Sequence, residues 1–148
     1  MQALIRKGTK EDLNRLRDFL LKAKLGTDGL SEDTIGSFLL LENGKGELVG
    51  SLGMEVFERV GLLRSLVVSS GWAEKEILVL FDQMVQLAKE RGMESLFLAT
   101  NKPMAVAFFE LMGFQQIRRE SLPEELLLSN HIRHVFNVDN SLFFKFTL

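Results

Sequence analysis

The chain contains no cysteine and no tyrosine. The first absence removes disulfides, thiolate metal sites and a cysteine nucleophile. The second removes phenolic hydroxyls from the available proton donors. There are only two histidines, His131 and His134. They lie three apart with Asp139 nearby, a poor metal motif, and they read as surface or internally satisfied residues. Lys and Arg form no cluster, and the net charge is −2. A broad basic face is therefore missing, and nucleic acid is not an expected partner. No apolar run approaches membrane-spanning length, and "MQALIRKGTKEDLN" lacks the apolar core of a signal peptide. The expectation is a cytoplasmic protein that does not engage a membrane.

What is present is an ordinary globular balance, 46% hydrophobic and 26% charged over 148 residues. That length suits a single domain, 1–148, with one core. No repeat, low-complexity tract or linker interrupts it. "ALIRKGT" reads as a first strand. "TKEDLNRLRDFLLKA" reads as a helix, with Thr9 and Asp12 as its capping pair and Leu13, Leu16 and Leu20 as its apolar stripe. "SEDTIGS" reads as a second short helix capped by Ser31. "FLLLE" and "ELVGSLGMEVF" flank the hairpin signal "NGKG", and "VGLLRSLVV" follows a tight turn at Glu58–Arg59. Beyond it, "EILVLFDQMVQLAKERG" has helical spacing and a Gly92 stop. "SLFLAT" is a strand, and "NKPMAVAFFELMG" a helix with Pro103 in its first turn. "FQQIRR" is a strand, "SLPEELLLS" a short helix with a Ser121/Glu124 capping box, and "NSLFFKFTL" a final strand. Its apolar faces would suit a homodimer edge.

The order is antiparallel in the first half and strand–helix–strand after residue 60, which implies parallel neighbours joined by right-handed crossovers. The predicted class is α/β: a mixed, twisted sheet of about seven strands flanked by helices.

Three places carry candidate chemistry. The first is "SSGWAEKEIL", where a strand turns directly into a helix N-terminus. Such turns bind anions through free N–H groups and the helix dipole. Here the expected glycines are missing, and Glu74 and Glu76 stand beside Lys75. The second is the hairpin. A two-residue turn at Glu58–Arg59 sets Glu55 opposite Leu62 and diagonal to Arg64, with Gly53 leaving room. An arginine inside an apolar strand needs a partner. That partner is either a substrate carboxylate, gripped in bidentate fashion, or Glu55 in a structural pair. The third is Asn101, at the crevice end of a parallel strand, as a plain helix cap or a ligand contact.

The landmarks from "LLRSLVV" through "SLFLATN" to "AVAFFELMGF" resemble the GNAT superfamily of N-acetyltransferases. "AVAFFELMGF" matches its A-x-x-F-[YF]-E-x-x-G-F signature, and the match is similar to a subgroup acting on amino acids and amino-acid-like toxins. The resemblance implies acetyl-CoA as co-substrate, held between "LLRSLVV" and "SLFLATN". The backbone of Leu66, Val67 and Val68 would take the pantetheine arm. The following turn would hold the pyrophosphate, usually through [QR]-x-x-G-x-[GA]. Trp72 stands at the Gln/Arg position, Lys75 at the first glycine and Ile77 at the second, so the motif is degenerate. Trp72 is a hydrophobic plug, an exposed interface residue or an adenine stack. Asn101 falls where the family often contacts the cofactor, and Phe109 where it often places a tyrosine acid. Direct acetyl transfer needs a base, and Glu55 is the candidate. Two readings follow. One is an N-acetyltransferase of a small, amino-acid-like amine. The alternative is a module that kept the fold, lost efficient CoA binding, and serves to bind a ligand or a protein.

Overall fold

The structure is a computed structural model and describes residues 3–69, 71, 74–136 and 141–148. Seven strands form one mixed sheet in the order β1-β2-β3-β4-β5-β7-β6. The strands are β1 (Leu4–Lys7), β2 (Phe38–Glu42), β3 (Leu48–Phe57), β4 (Val60–Val68), β5 (Ser95–Thr100), β6 (Gln115–Ile117) and β7 (Leu142–Thr147). The helices are α1 (Leu13–Lys22), α2 (Glu74–Glu90), α3 (Val106–Leu111) and α4 (Asn130–Phe136). The mixed seven-stranded α/β class predicted from the sequence is the one observed. As predicted, β1 and β2 run antiparallel, and β4 runs parallel to β5 at Val60↔Ser95, Gly61↔Leu96 and Leu62↔Phe97.

The chain divides into two compact units, Met1–Met54 with Arg64–Leu87, and Glu55–Leu63 with Ala88–Leu148. In the first, β2 is buried throughout, which is why "FLLL" reads as an unbroken apolar run rather than an alternation. Phe38 and Leu40 share a cluster with Leu16, Leu20, Leu30 and Ile35. The predicted α1 stripe is therefore the face that packs. Burying Leu16 and Leu20 contributes roughly 1.5–3 kcal/mol each. Gly53 has a steric reason: a Cβ there would stand 2.3 Å from the Phe38 ring, which is itself buried.

A charge network in which Asp12 and Glu42 are buried and two arginines are part-exposed lies at the β1–β2 edge of this unit. Arg6 reaches both Asp12 oxygens at 2.8 and 2.7 Å and Glu42 at 2.8 Å. Arg15 bonds Asp12 at 3.0 Å and Glu42 at 2.8 Å. Asp12 also accepts the Thr9 amide at 2.9 Å, the predicted reciprocal half of the capping box. The Arg6 hydrogen bond is the leading cause that lowers the pKa of Asp12, and likewise that of Glu42.

In the second unit, Val60, Leu62, Phe97 and Phe143 form one face of the sheet, covered by Leu126 and Ile132. On the opposite face Phe109 packs on Phe144 at 5.5 Å, and Phe114 on Phe146 at 5.2 Å. β7 is flanked by β5 and β6, so its phenylalanines serve the interior and it is not the edge strand that the tail suggested.

Three local expectations change. "SEDTIGS" makes only a single 3-10 turn, Ile35–Ser37, with Thr34 at its N-cap instead of Ser31. The Ser121/Glu124 box is not formed; Glu124–Leu128 is a 3-10 helix with Pro123 before it. Asn130–Phe136, to which the sequence pattern assigns no element, is helical, with Ser129 accepting the His131 and Ile132 amides at its start.

The β3–β4 turn holds Glu58 at φ 55. Relieving a left-handed L-residue is worth about 1–2 kcal/mol, less about 0.5–1 kcal/mol for the freedom glycine loses on folding. Glu58→Gly is therefore expected to stabilise the protein by about 0.5 kcal/mol, read as a rise in urea midpoint. A fall would show that the glutamate side chain itself supports the turn.

Candidate functional site

Glu55 is the candidate base, and the second unit positions it. Counted from the two-residue turn, Glu55 lies opposite Leu62, so its side chain belongs to the face that Leu126 and Ile132 cover. Its Oε1 accepts a 2.8 Å hydrogen bond from the Ser129 hydroxyl. Ser129 is 1% exposed and sits in extended conformation, φ −78 and ψ 127, immediately before α4. Its Oγ accepts the His131 amide at 3.1 Å and the Ile132 amide at 3.3 Å, as a helix cap does. Ser129 was not among the sequence candidates. The signal was a serine followed two and three residues on by "HI" in a helical apolar pattern, hidden because "SLPEELLLS" claimed the same serine as its end.

The first unit carries Arg64 and the backbone of Leu66, Val67 and Val68. Within β4, Ser65 adopts φ 59, and its carbonyl accepts the buried Ser51 hydroxyl at 2.8 Å. A two-residue turn would put Leu48 opposite Ser69, yet the Ser69 amide donates to Val49 O at 2.8 Å. One extra residue is thus absorbed in β4, and left-handed Ser65 marks a bulge that re-aims the strand. Arg64 donates from Nη1 to Asp28 O at 2.8 Å, from Nη2 to Gly26 O at 3.4 Å, and from Nε to Ser65 Oγ at 3.3 Å. Its guanidinium therefore ties down the loop after α1. Leu66, Val67 and Val68 are half-buried, and Val67 packs against the α1 cluster.

Lys75 is exposed in the first turn of α2, between Glu74 and Glu76. Glu76 Oε2 is buried and meets no donor among the described residues. Gly71 has φ 92 and open space where a Cβ would stand. Trp72 lies outside the described residues. Asn101 is exposed and does not cap the following helical turn, whose N-cap is Lys102. Phe109 is buried between Phe108, Phe114 and Phe144, and offers no proton. Among the described residues no group of three acidic or histidine side chains could hold a metal ion, and no helix is long and apolar enough to cross a membrane.

No family model matches the chain. The uncharacterized protein YwlB of Bacillus subtilis is 35% identical over 128 residues, 86% of this chain and 85% of YwlB. Among solved structures, an acetyltransferase of the GNAT family from Staphylococcus aureus superposes with a TM-score of 0.76 at 20% identity, over 99% of both chains. N-acetylglutamate synthase from Neisseria gonorrhoeae, complexed with coenzyme A and N-acetyl-glutamate, superposes with a TM-score of 0.77 at 21% identity. The whole of this chain spans only 35% of that enzyme's length. Rv2747 from Mycobacterium tuberculosis, in complex with CoA, gives 0.75 at 18% identity over 98% of this chain and 99% of that one. These superpositions show that the chain has the GNAT fold, and its identity to YwlB over most of both chains shows that the two belong to one family.

Proposed function

We propose that the protein transfers an acetyl group from acetyl-CoA to a small amine of amino-acid-like character. The observation that carries this reading is Glu55, a carboxylate aimed by a buried hydroxyl in a fold whose solved members hold CoA. An ammonium must lose a proton before its nitrogen can attack, and Glu55 takes that proton. Acetyl-CoA supplies the acetyl group as a thioester, whose C–S bond breaks as the C–N bond forms and whose sulfur leaves with the bonding pair. The second nitrogen proton passes to water. Without a tyrosine in the chain, and with Phe109 where a phenol would stand, the leaving sulfur draws its proton from solvent.

The residues suit the two ends of a CoA thioester unequally. Beyond the Ser65 bulge, the half-buried backbone of Leu66 to Val68 offers strand-like hydrogen bonds to an amide-bearing arm. At the start of α2, Gly71 is open and Lys75 offers a cation, but Glu74 and Glu76 add negative charge where a diphosphate would settle. Binding is therefore expected to be weak, with Kd above about 10 μM, and the change Lys75→Gly with Ile77→Gly should tighten it. Titration calorimetry with acetyl-CoA checks both. A tighter wild-type Kd would mean that the turn tolerates its glutamates. The Glu76 oxygen, buried and without a donor among the described residues, favours the second reading, a GNAT-fold binding module; no heat with CoA or acetyl-CoA would establish it.

The amino-acid-like class rests on Arg64, whose Nη groups hold carbonyl oxygens that a substrate carboxylate could replace in bidentate form. Lysine cannot reproduce that fork. Arg64→Lys should weaken any L-amino-acid hit about tenfold or more, by roughly 1.5–3 kcal/mol for a charged hydrogen bond. Thermal shift across the L-amino acids checks this. Equal shifts for both proteins would make Arg64 a structural residue.

A further inference from the structure

The helix that buries Phe109 has an outer side. Met104 and Leu111 are 94% and 77% exposed, more than any other large apolar side chain among the described residues. They lie two helical turns apart on the segment Pro103–Ala105 and Val106–Leu111, and so share one face of it. Ala107, exposed, and Phe108, half-buried, stand three and four positions after Met104 and complete the row. Exposed apolar residues scattered singly need no explanation, but a contiguous row marks an interaction site. Charges of opposite sign flank it. Lys102 stands just before the row and Glu110 near its far end, both exposed. Among the described residues neither side chain has an ion-pair partner.

We propose that this row is a two-fold interface with a second copy of the chain, the two α3 helices lying antiparallel. The pattern is self-complementary in that direction. Paired about the point between Ala107 and Phe108, Met104 meets the partner's Leu111, and Ala107 meets the partner's Phe108, as a two-fold axis requires. The small Ala107 gives the phenylalanine ring room and lets the helices approach. Lys102 then comes within reach of the partner's Glu110, and symmetry makes that contact twice. Parallel helices would instead set lysine against lysine and glutamate against glutamate, which is repulsive. An apolar small molecule would use the row but has no need of the flanking charges. β7 lies between β5 and β6, so self-association cannot run along its edge. Four side chains per copy are few against the roughly 800 Å² per partner of a stable interface. The dimer is therefore weak, with a Kd on the order of 10–100 μM.

Sedimentation equilibrium of the full chain, from about 5 μM to about 1 mM, brackets that Kd. Met104→Glu and Leu111→Glu each put a carboxylate into the row. Both positions are exposed, so the monomer should fold, which circular dichroism and thermal unfolding at low concentration verify. Each change is met twice per dimer and should raise Kd about tenfold or more. Lys102→Glu alone and Glu110→Lys alone should each raise it roughly three- to tenfold, since two attractive contacts become repulsive. An equimolar mixture of these two variants should recover the dimer, because each lysine then faces a glutamate across the axis. The chain carrying both changes should recover it as well, and about 1 M salt should level these differences. A chain that stays monomeric throughout overturns the proposal and leaves the row to an unrelated protein or an apolar ligand. A dimer indifferent to Leu111→Glu overturns it too, because the copies then meet elsewhere. So does a dimer that Leu111→Glu abolishes but whose two charge variants fail to recover one another on mixing, since the helices are then not antiparallel.

Discussion

Asp12→Asn is expected to destabilise the protein by about 2–3 kcal/mol, and by less at acidic pH than at neutral pH. Asp12 receives Arg6 at both oxygens, Arg15 at one and the Thr9 amide. Its side chain is only 7% exposed. Removing one partner from a buried charge pair costs roughly 3–5 kcal/mol when the other is stranded. Here both arginines are about a third exposed and retain Glu42, so the cost falls below that range. For a chain of this size the melting temperature should drop by about 5–10 °C. The pH dependence follows from the direction of the shifts. Asp12 and Glu42 have folded pKa values below their ordinary ones, chiefly through the Arg6 hydrogen bonds. Their stabilisation is therefore complete above the unfolded values, near pH 4, and is lost as pH falls through the folded ones. Wild type should lose stability steeply below about pH 4, and Asp12→Asn less steeply. Denaturant titrations from neutral to acidic pH measure both slopes. Parallel curves would mean that the network contributes no differential charge stabilisation.

This network shows where the sequence was legible and where it was not. Asp12 was visible as a capping partner of Thr9, because capping is local and has a fixed spacing. That Arg6 and Arg15 converge on it and share themselves with Glu42 was not visible, because it depends on β1 pairing with β2 at Leu4↔Glu42 through Lys7↔Leu39. The fold itself was readable from hydrophobic period and crossover logic. "FLLLE" reads as a strand flanking a hairpin, "SLFLAT" as a fully apolar strand with a parallel neighbour, and the α1 stripe as its apolar face. The failures cluster where two local signals compete for one residue. Ser31 and Ser121 resemble helix caps in sequence but cap no helix, whereas Ser129, which reads as the end of an element, caps α4. Helix caps stabilise by about 1 kcal/mol, and around Ser31 and Ser121 tertiary packing selects 3-10 turns instead. The bulge at Ser65 left no sequence mark either. A serine at φ 59 carries no glycine flag, and the surrounding hydrogen bonds, including Ser51 to its carbonyl, impose the conformation. Glu55 was legible as a charged residue in an apolar hairpin. Its partner was not, because Ser129 lies 74 positions away in sequence.

Glu55→Gln is expected to lower kcat by about a hundredfold or more while leaving the fold and acetyl-CoA affinity unchanged. A positioned base contributes roughly 10²–10⁴ to proton transfer. The amide is nearly isosteric, and its carbonyl oxygen can still accept the Ser129 hydroxyl, so neither α4 nor the covering of Leu62 and Phe97 should be disturbed. What it cannot do is take the ammonium proton. The variant's residual rate should rise only with the fraction of neutral amine, as it must when no protein base takes the proton. The assay is simple for this chain, since without cysteine a disulfide dye reports released CoA thiol with no protein background. Glu55→Asp is the useful control: it keeps the carboxylate but withdraws it by one methylene from Ser129, so it should retain base-assisted transfer at reduced kcat. Should Glu55→Gln match wild type at all pH values, solvent would be the base. Glu55 would then be a half-buried structural residue that accepts the Ser129 hydroxyl.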